Sequence, residues 1–322
     1  MTAFSTRPAS MLLKGSMLAF AFLLSACAAT GVREATHDPQ LPRHAELAAT
    51  PFFPQEQYHC GPAALATALN AVNIGVSPDQ LVPEVYIPSR KGSLQIEMLV
   101  AARRHGALAV KIEPELGAVL KEIAAGNVVV VMQNLGLSWA PSWHYAVVVG
   151  YDLDKELVWL RSGTFKRFEM TLSTFQRTWA RSQYWAFVAL KPGSLPASAG
   201  ADAVAAALVS FEKAADAADL QVAYAAAARQ WPRHLVILTG LGNSAYAAGD
   251  LSGAASAFRN AIEAYPDSAA AHNNLANVLL AQGDVTAARA SAEKALQLAE
   301  KDRKLQSQIQ KTLDEINAHS AR

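Results

Sequence analysis

The chain has only two cysteines in 322 residues, Cys27 and Cys60. No CxxC, HExxH or P-loop pattern occurs, so neither a metal nor a nucleotide cofactor is implied. An excess of one charge is also missing. There are 28 basic and 27 acidic residues, a net charge of +1 and no long run of either sign. That balance leaves no electrostatic footprint for nucleic acid. The apolar run near the N-terminus, Met17 to Leu24, is too short to cross a bilayer, which takes roughly 20 residues.

What is present begins with that same segment. Arg7 and Lys14 form a positive region ahead of the apolar run, and Leu24-Ser25-Ala26-Cys27 follows it. The pattern resembles the lipobox of bacterial lipoproteins. That resemblance implies a signal peptide over 1–27, lipid on Cys27 and membrane attachment through the lipid anchor only. With Ala28 rather than Asp after the cysteine, it also implies sorting to the periplasmic face of the outer membrane. An ordinary secretory signal is the competing reading. With Cys27 lipidated, Cys60 is the single free thiol and no disulfide can form within the chain. An unpaired thiol in an oxidising compartment is a liability unless buried or used.

Residues 28–50 show no sustained periodicity and read as a tether. A first domain is expected over 51–190, a Pro/Gly/Ser-rich linker over 191–201 and an alanine-rich helical region over 202–322. Within 51–190 the patterning predicts helices over Gly61–Val72, from Ser93 through Arg104, and over the PELGAVLKEIAAG segment. Strands are expected at Val128–Met132, His144–Tyr151 and Leu157–Leu160, with a short helix near Ser173–Arg181 and a last strand at Tyr184–Leu190. Helices followed by an antiparallel sheet make an α+β plan. Asp152 and Asp154 fall in the polar turn DLDKE, where solvent is expected to reach them.

Cys60 stands immediately before Gly61-Pro62 and a helix. A helix N-terminus favours an anion there, and a nearby imidazolium can lower a thiol pKa by several units. That is how a cysteine becomes a nucleophile without a metal. The histidine best placed to act is His144, which opens the apolar strand WHYAVVVGY after a Pro-Ser-Trp loop. His59 adjoins the thiol in sequence, but consecutive residues at a helix start project in different directions, which makes it a poor base.

QxxxxCGPAALA followed by WHYAVVVGYD resembles the C39-type cysteine peptidases, a branch of the papain-like clan, over roughly residues 51–190. The resemblance implies an α+β papain-like fold and hydrolysis of peptide bonds in a peptide or protein substrate. It makes Cys60 the nucleophile, His144 the general base and acid, and Gln55 the side-chain oxyanion donor beside the Cys60 N–H. Gln57 competes with Gln55 for that role. The family usually places Asp or Asn in the strand after the histidine strand, to orient the imidazole. This chain has Val-Trp-Leu-Arg-Ser-Gly over 158–163, so Ser162 is the candidate orienting residue. Two other readings stay open: a related acyl transferase on the same site, and a catalytically silent scaffold.

Past residue 201 a period of 34 appears. Leu241-Gly242, Gly249-Asp250, Ala254, Phe258 and Ala261 recur as Leu275-Ala276, Gly283-Asp284, Ala288, Ala292 and Ala295. This resembles the tetratricopeptide repeat. The segment 201–234 fits more loosely, and 303–318 is expected to cap the stack. The resemblance implies a groove for a peptide or protein partner, with Asn243, Asn273, Asn274 and Asn277 as possible lining; a spacer or dimerisation element is the rival. Gly240-Leu-Gly242-Asn-Ser-Ala245 imitates a dinucleotide fingerprint, but it falls in phase with the repeat and lacks a βαβ context.

Overall fold

The computed structural model describes residues 31–54, 59–300 and 302–320. Cys27, the signal segment, Gln55 and Gln57 therefore lie outside the described residues. The chain divides into two compact units, one drawn from residues up to 94 with 112–188, the other from 95–111 with 189 onward.

In chain order the first unit holds β1 (His44–Glu46), α1 (Cys60–Ala71), α2 (Pro78–Val85), β2 (Tyr86–Ile87) and β3 (Gly92–Ser93). The segment 95–111, with α3 (Gln95–Arg104) and β4 (Leu108–Lys111), clusters with the second unit. The first unit resumes with α4 (Leu116–Ala124), β5 (Val129–Asn134), β6 (Trp143–Asp152), β7 (Leu157–Ser162), β8 (Phe165–Thr171), α5 (Leu172–Ala180) and the start of β9 (Ala186–Leu190). Its antiparallel sheet runs β9-β5-β6-β7-β8, and β1 adds to β6. Nearly all of β6 is buried, which explains its unbroken apolar sequence. By contrast β8 (FKRFEMT) is an exposed strand with little apolar periodicity, and the sequence reading passed over it.

Residues 31–50 are not the loose tether expected from their irregular sequence. Positions 31–37 are helical, Val32, Ala35 and Leu41 are buried, and β1 pairs His44 with Asp152 and Glu46 with Gly150. The cause lies in a distant residue. A Cβ on Gly150 would sit 2.8 Å from the Ala45 carbonyl and 2.7 Å from the Trp159 ring. Only glycine there admits β1 against the strand. Arg167 reinforces the join, donating to Glu46 at 2.7 and 3.1 Å and lying 4.0 Å over the Trp159 ring. The expectation for Asp152 also needs correction. It is only 7% exposed and accepts the N–H groups of Asp154 and Lys155 at 3.1 and 3.0 Å. It closes the β6–β7 turn. Asp154 pairs with Arg43 at 2.8 Å on the surface.

The second unit carries α6 (Ala201–Phe211), α7 (Ala217–Gln230), α8 (Leu235–Ala247), α9 (Leu251–Ala264), α10 (Ala269–Ala281), α11 (Val285–Leu298) and α12 (Arg303–Ser320). Helix starts at 201, 235 and 269, and at 217, 251 and 285, keep one interval throughout. The loosely fitting segment is thus a full helix pair. Asp216, Asp250 and Asp284 each cap the second helix of their pair, accepting from the third residue onward. Small residues bring the helices together: a Cβ on Gly242 would meet the Phe258 ring at 2.6 Å. The dinucleotide look-alike lies inside α8, which removes it as a phosphate loop.

Candidate active site

The site is built on the start of α1. Gly61 through Leu69 are all buried, and their small side chains let the helix lie close to β5, β6 and β7. The cap residue His59 makes no side-chain bond to this helix, so it leaves the first N–H groups to other partners. The N–H groups of Cys60 and Gly61 are directed at the Cys60 sulfur. A third comes from across the interface, the backbone N–H of Tyr145 in β6. That contact brings the thiol to the residue following His144.

Cys60, His144 and Ser162 are each partly buried. The imidazole Nε2 of His144 lies 2.8 Å from Ser162 Oγ. On β7, Ser162 reaches His144 diagonally, because the β6–β7 register sets Val147 opposite Arg161. With Nε2 engaged, Nδ1 is the ring nitrogen left to face a proton donor. Burial pushes the Cys60 thiol above its ordinary value, outweighing the three N–H groups that pull it down. Burial also holds His144 below the ordinary imidazole value. Both shifts favour the uncharged forms. His59 is engaged elsewhere, its ring edge-on to Tyr86 at 5.0 Å.

Several supporting groups were missed from the sequence. Tyr145 is buried, donates its hydroxyl to the Ser93 carbonyl at 3.1 Å and packs on Trp185. Arg161, 3% exposed, donates to the Thr50 carbonyl at 3.0 Å and the Ala48 carbonyl at 3.0 Å, and also to Lys166. It thereby fastens the segment that leads into the cysteine loop to the residue before Ser162. Gln133 pairs across from His144 and is held by Thr178 at 2.7 Å. Only Arg161 left a trace in the sequence, as a charge inside an apolar strand. Among the described residues, no group of three His, Cys, Asp or Glu could hold a metal.

The helix that begins at Cys60 packs on the strand that carries His144, within an α+β domain built on an antiparallel sheet. Comparison with known proteins agrees with that class. Residues 48–186 match the model of the Peptidase_C39 like family, and residues 239–303 match that of the tetratricopeptide repeat. The chain thus carries a C39-like peptidase domain followed by tetratricopeptide repeats. No curated protein matches it. Similar solved structures include a putative C39-like peptidase from Bacillus anthracis, at 18% identity over 47% of this chain and 98% of that one, with a TM-score of 0.40. The repeat region is similar to the translocator chaperone SycD of Yersinia enterocolitica (14% identity, 39% of this chain, 90% of that one, TM-score 0.36). It is also similar to the first repeat domain of Spaghetti bound to an HSP90 peptide (15%, 38% and 94%, TM-score 0.35).

Proposed function

We propose that this chain is an envelope-anchored cysteine peptidase that hydrolyses peptide bonds through Cys60 and His144. The observation that supports it most is the Tyr145 N–H at the Cys60 sulfur, one residue along the strand from His144, whose ring Ser162 holds. As Cys60 Sγ attacks the substrate carbonyl, its proton passes to His144. The ion pair forms during the step, so burial of the neutral partners does not bar it. The oxyanion takes the Cys60 N–H and the Gln55 side chain. The loss of one such donor costs about 10²–10³ in rate. His144 then protonates the leaving amine, the C–N bond breaks, and a thioester remains on Cys60. Water, deprotonated by the same imidazole, cleaves the thioester, releases the carboxylic acid and restores the thiol.

Anchoring is assigned to lipid on Cys27, with the periplasmic face of the outer membrane as the destination. The repeats serve a peptide or protein partner. The deciding measurement is iodoacetamide alkylation of Cys60 against pH in the wild type and in His144→Ala. The mutation should slow alkylation at pH 7 at least tenfold. Equal rates would favour the silent scaffold.

A further inference from the structure

The hairpin between β5 and β6 is rigid and apolar, a combination that needs a partner. Leu135, Leu137 and Trp139 are 47%, 54% and 81% exposed, and Trp143 at its exit is 49% exposed. Residues 135–142 carry no charge. The loop is nevertheless tightly held. Asn134 Oδ1 accepts from the N–H groups of Gly136 and Ser142 at 3.0 and 2.9 Å, and Leu135 N–H donates to the Ser142 carbonyl at 2.9 Å. Leu137 and Ala140 exchange backbone bonds at 3.1 and 3.2 Å. Arg181 then clamps the root, donating to the carbonyls of Asn134 and Gly136 at 3.1 and 2.7 Å. Polar groups are spent on the frame, while large apolar side chains are displayed to solvent beside His144.

The position of this hairpin favours one occupant. Arg181 is the residue that ends α5. Gln176, five residues earlier and so roughly 8 Å along the axis, packs on Gly31, where an added Cβ would collide with its amide. The docked N-terminal segment therefore meets the middle of α5, and the hairpin root meets its C-terminal end. Four peptide links separate Gly31 from Cys27, a span of at most roughly 14 Å. A lipid on Cys27 would thus hold this end of the unit at the bilayer. Exposed tryptophan and leucine side chains on a braced loop are the residues that settle into the headgroup–acyl boundary.

We infer that the 135–143 hairpin inserts into the lipid surface, a second membrane contact beside the covalent anchor. The anchor reading of Cys27 supplies its geometric support. One contact leaves a domain free to rotate; two orient it. The hairpin would hold the His144 end of β6 at the interface and bias the site toward polypeptide lying along the membrane.

The test uses the full chain from Ala28, with no lipid attached, and vesicles of phosphatidylethanolamine and phosphatidylglycerol. The protein should cosediment with vesicles and its tryptophan emission should shift to the blue. Leu137→Ser/Trp139→Ser, a change confined to exposed side chains, should lower partitioning at least tenfold with an unchanged melting curve. Absence of partitioning, or equal partitioning by the variant, overturns the inference. So does a variant that partitions normally but raises KM for a peptide, which would assign the hairpin to substrate. Alkylation of Cys60 on the same samples separates this outcome from the peptidase reading. His144-dependent alkylation without vesicle binding sinks the hairpin inference alone, and vesicle binding with His144-independent alkylation sinks the peptidase reading alone.

Discussion

Replacing Ser162 tests how the imidazole is aimed. The contact from His144 Nε2 to Ser162 Oγ is 2.8 Å. Ser162→Ala removes it and leaves a partly buried nitrogen unsatisfied, at a cost of about 1–3 kcal/mol. If the lost energy appears wholly in proton transfer from Cys60, the His144-dependent alkylation rate falls roughly 5- to 160-fold. A serine is neutral, so the loss should be uniform across pH. Ser162→Asp should act differently. A carboxylate against the ring favours the imidazolium and raises its pKa. Proton transfer from the thiol then becomes easier, so the neutral-pH plateau rises and the acid limb moves to higher pH. The assay is iodoacetamide alkylation of Cys60 from pH 5 to 9, followed by intact mass, with melting curves as the folding control. It needs no knowledge of the substrate. If Ser162→Ala stays within twofold of wild type at every pH and Ser162→Asp leaves the acid limb in place, Ser162 does not aim His144.

Other outcomes follow from the same geometry. Burial lowers the His144 pKa, so the ring stays neutral and able to accept a proton below its ordinary value. Alkylation should persist to below pH 6.5 and fail only as the pH drops through the lowered pKa; an acid limb above 7 would contradict this. Cys60→Ala should abolish alkylation and peptide hydrolysis while the circular dichroism spectrum stays unchanged. Arg161→Met leaves the Thr50, Ala48 and Lys166 carbonyls without their shared donor, and urea denaturation should show a loss of about 1–3 kcal/mol for each carbonyl left unsatisfied. Activity should fall with it, because the segment entering the cysteine loop is released. In the repeats, Gly242→Ala drives a methyl into the Phe258 ring, an overpacking that costs roughly 1–3 kcal/mol, readable as a lower melting temperature.

Much of the fold was legible because it rests on local periodicity. The helix after Cys60, the apolar β6 and the Leu157 hairpin strand all follow from spacing over a few residues. The 34-residue recurrence marks helix pairs because each pair needs the same small residues where neighbours touch, as Gly242 does against Phe258. The helix at Pro78–Val85 was readable too, and was overlooked. Ser77-Pro-Asp-Gln80 spells a capping box, with the Ser77 hydroxyl and the Gln80 amide bonded reciprocally. Strand β1 was not readable. Three residues carry no pattern of their own, and their place depends on the bare backbone at Gly150.

The chemical groups themselves were legible in the sequence: one thiol before a helix, one histidine opening a buried strand, and a serine at the end of the next strand. What they do depends on the space they share. Which ring nitrogen meets Ser162, which N–H reaches the sulfur, and whether the thiol rests charged or neutral are properties of desolvation and distance. These arise only when residues eighty positions apart are packed together. A linear pattern reports which groups are available, and the three-dimensional packing sets their protonation.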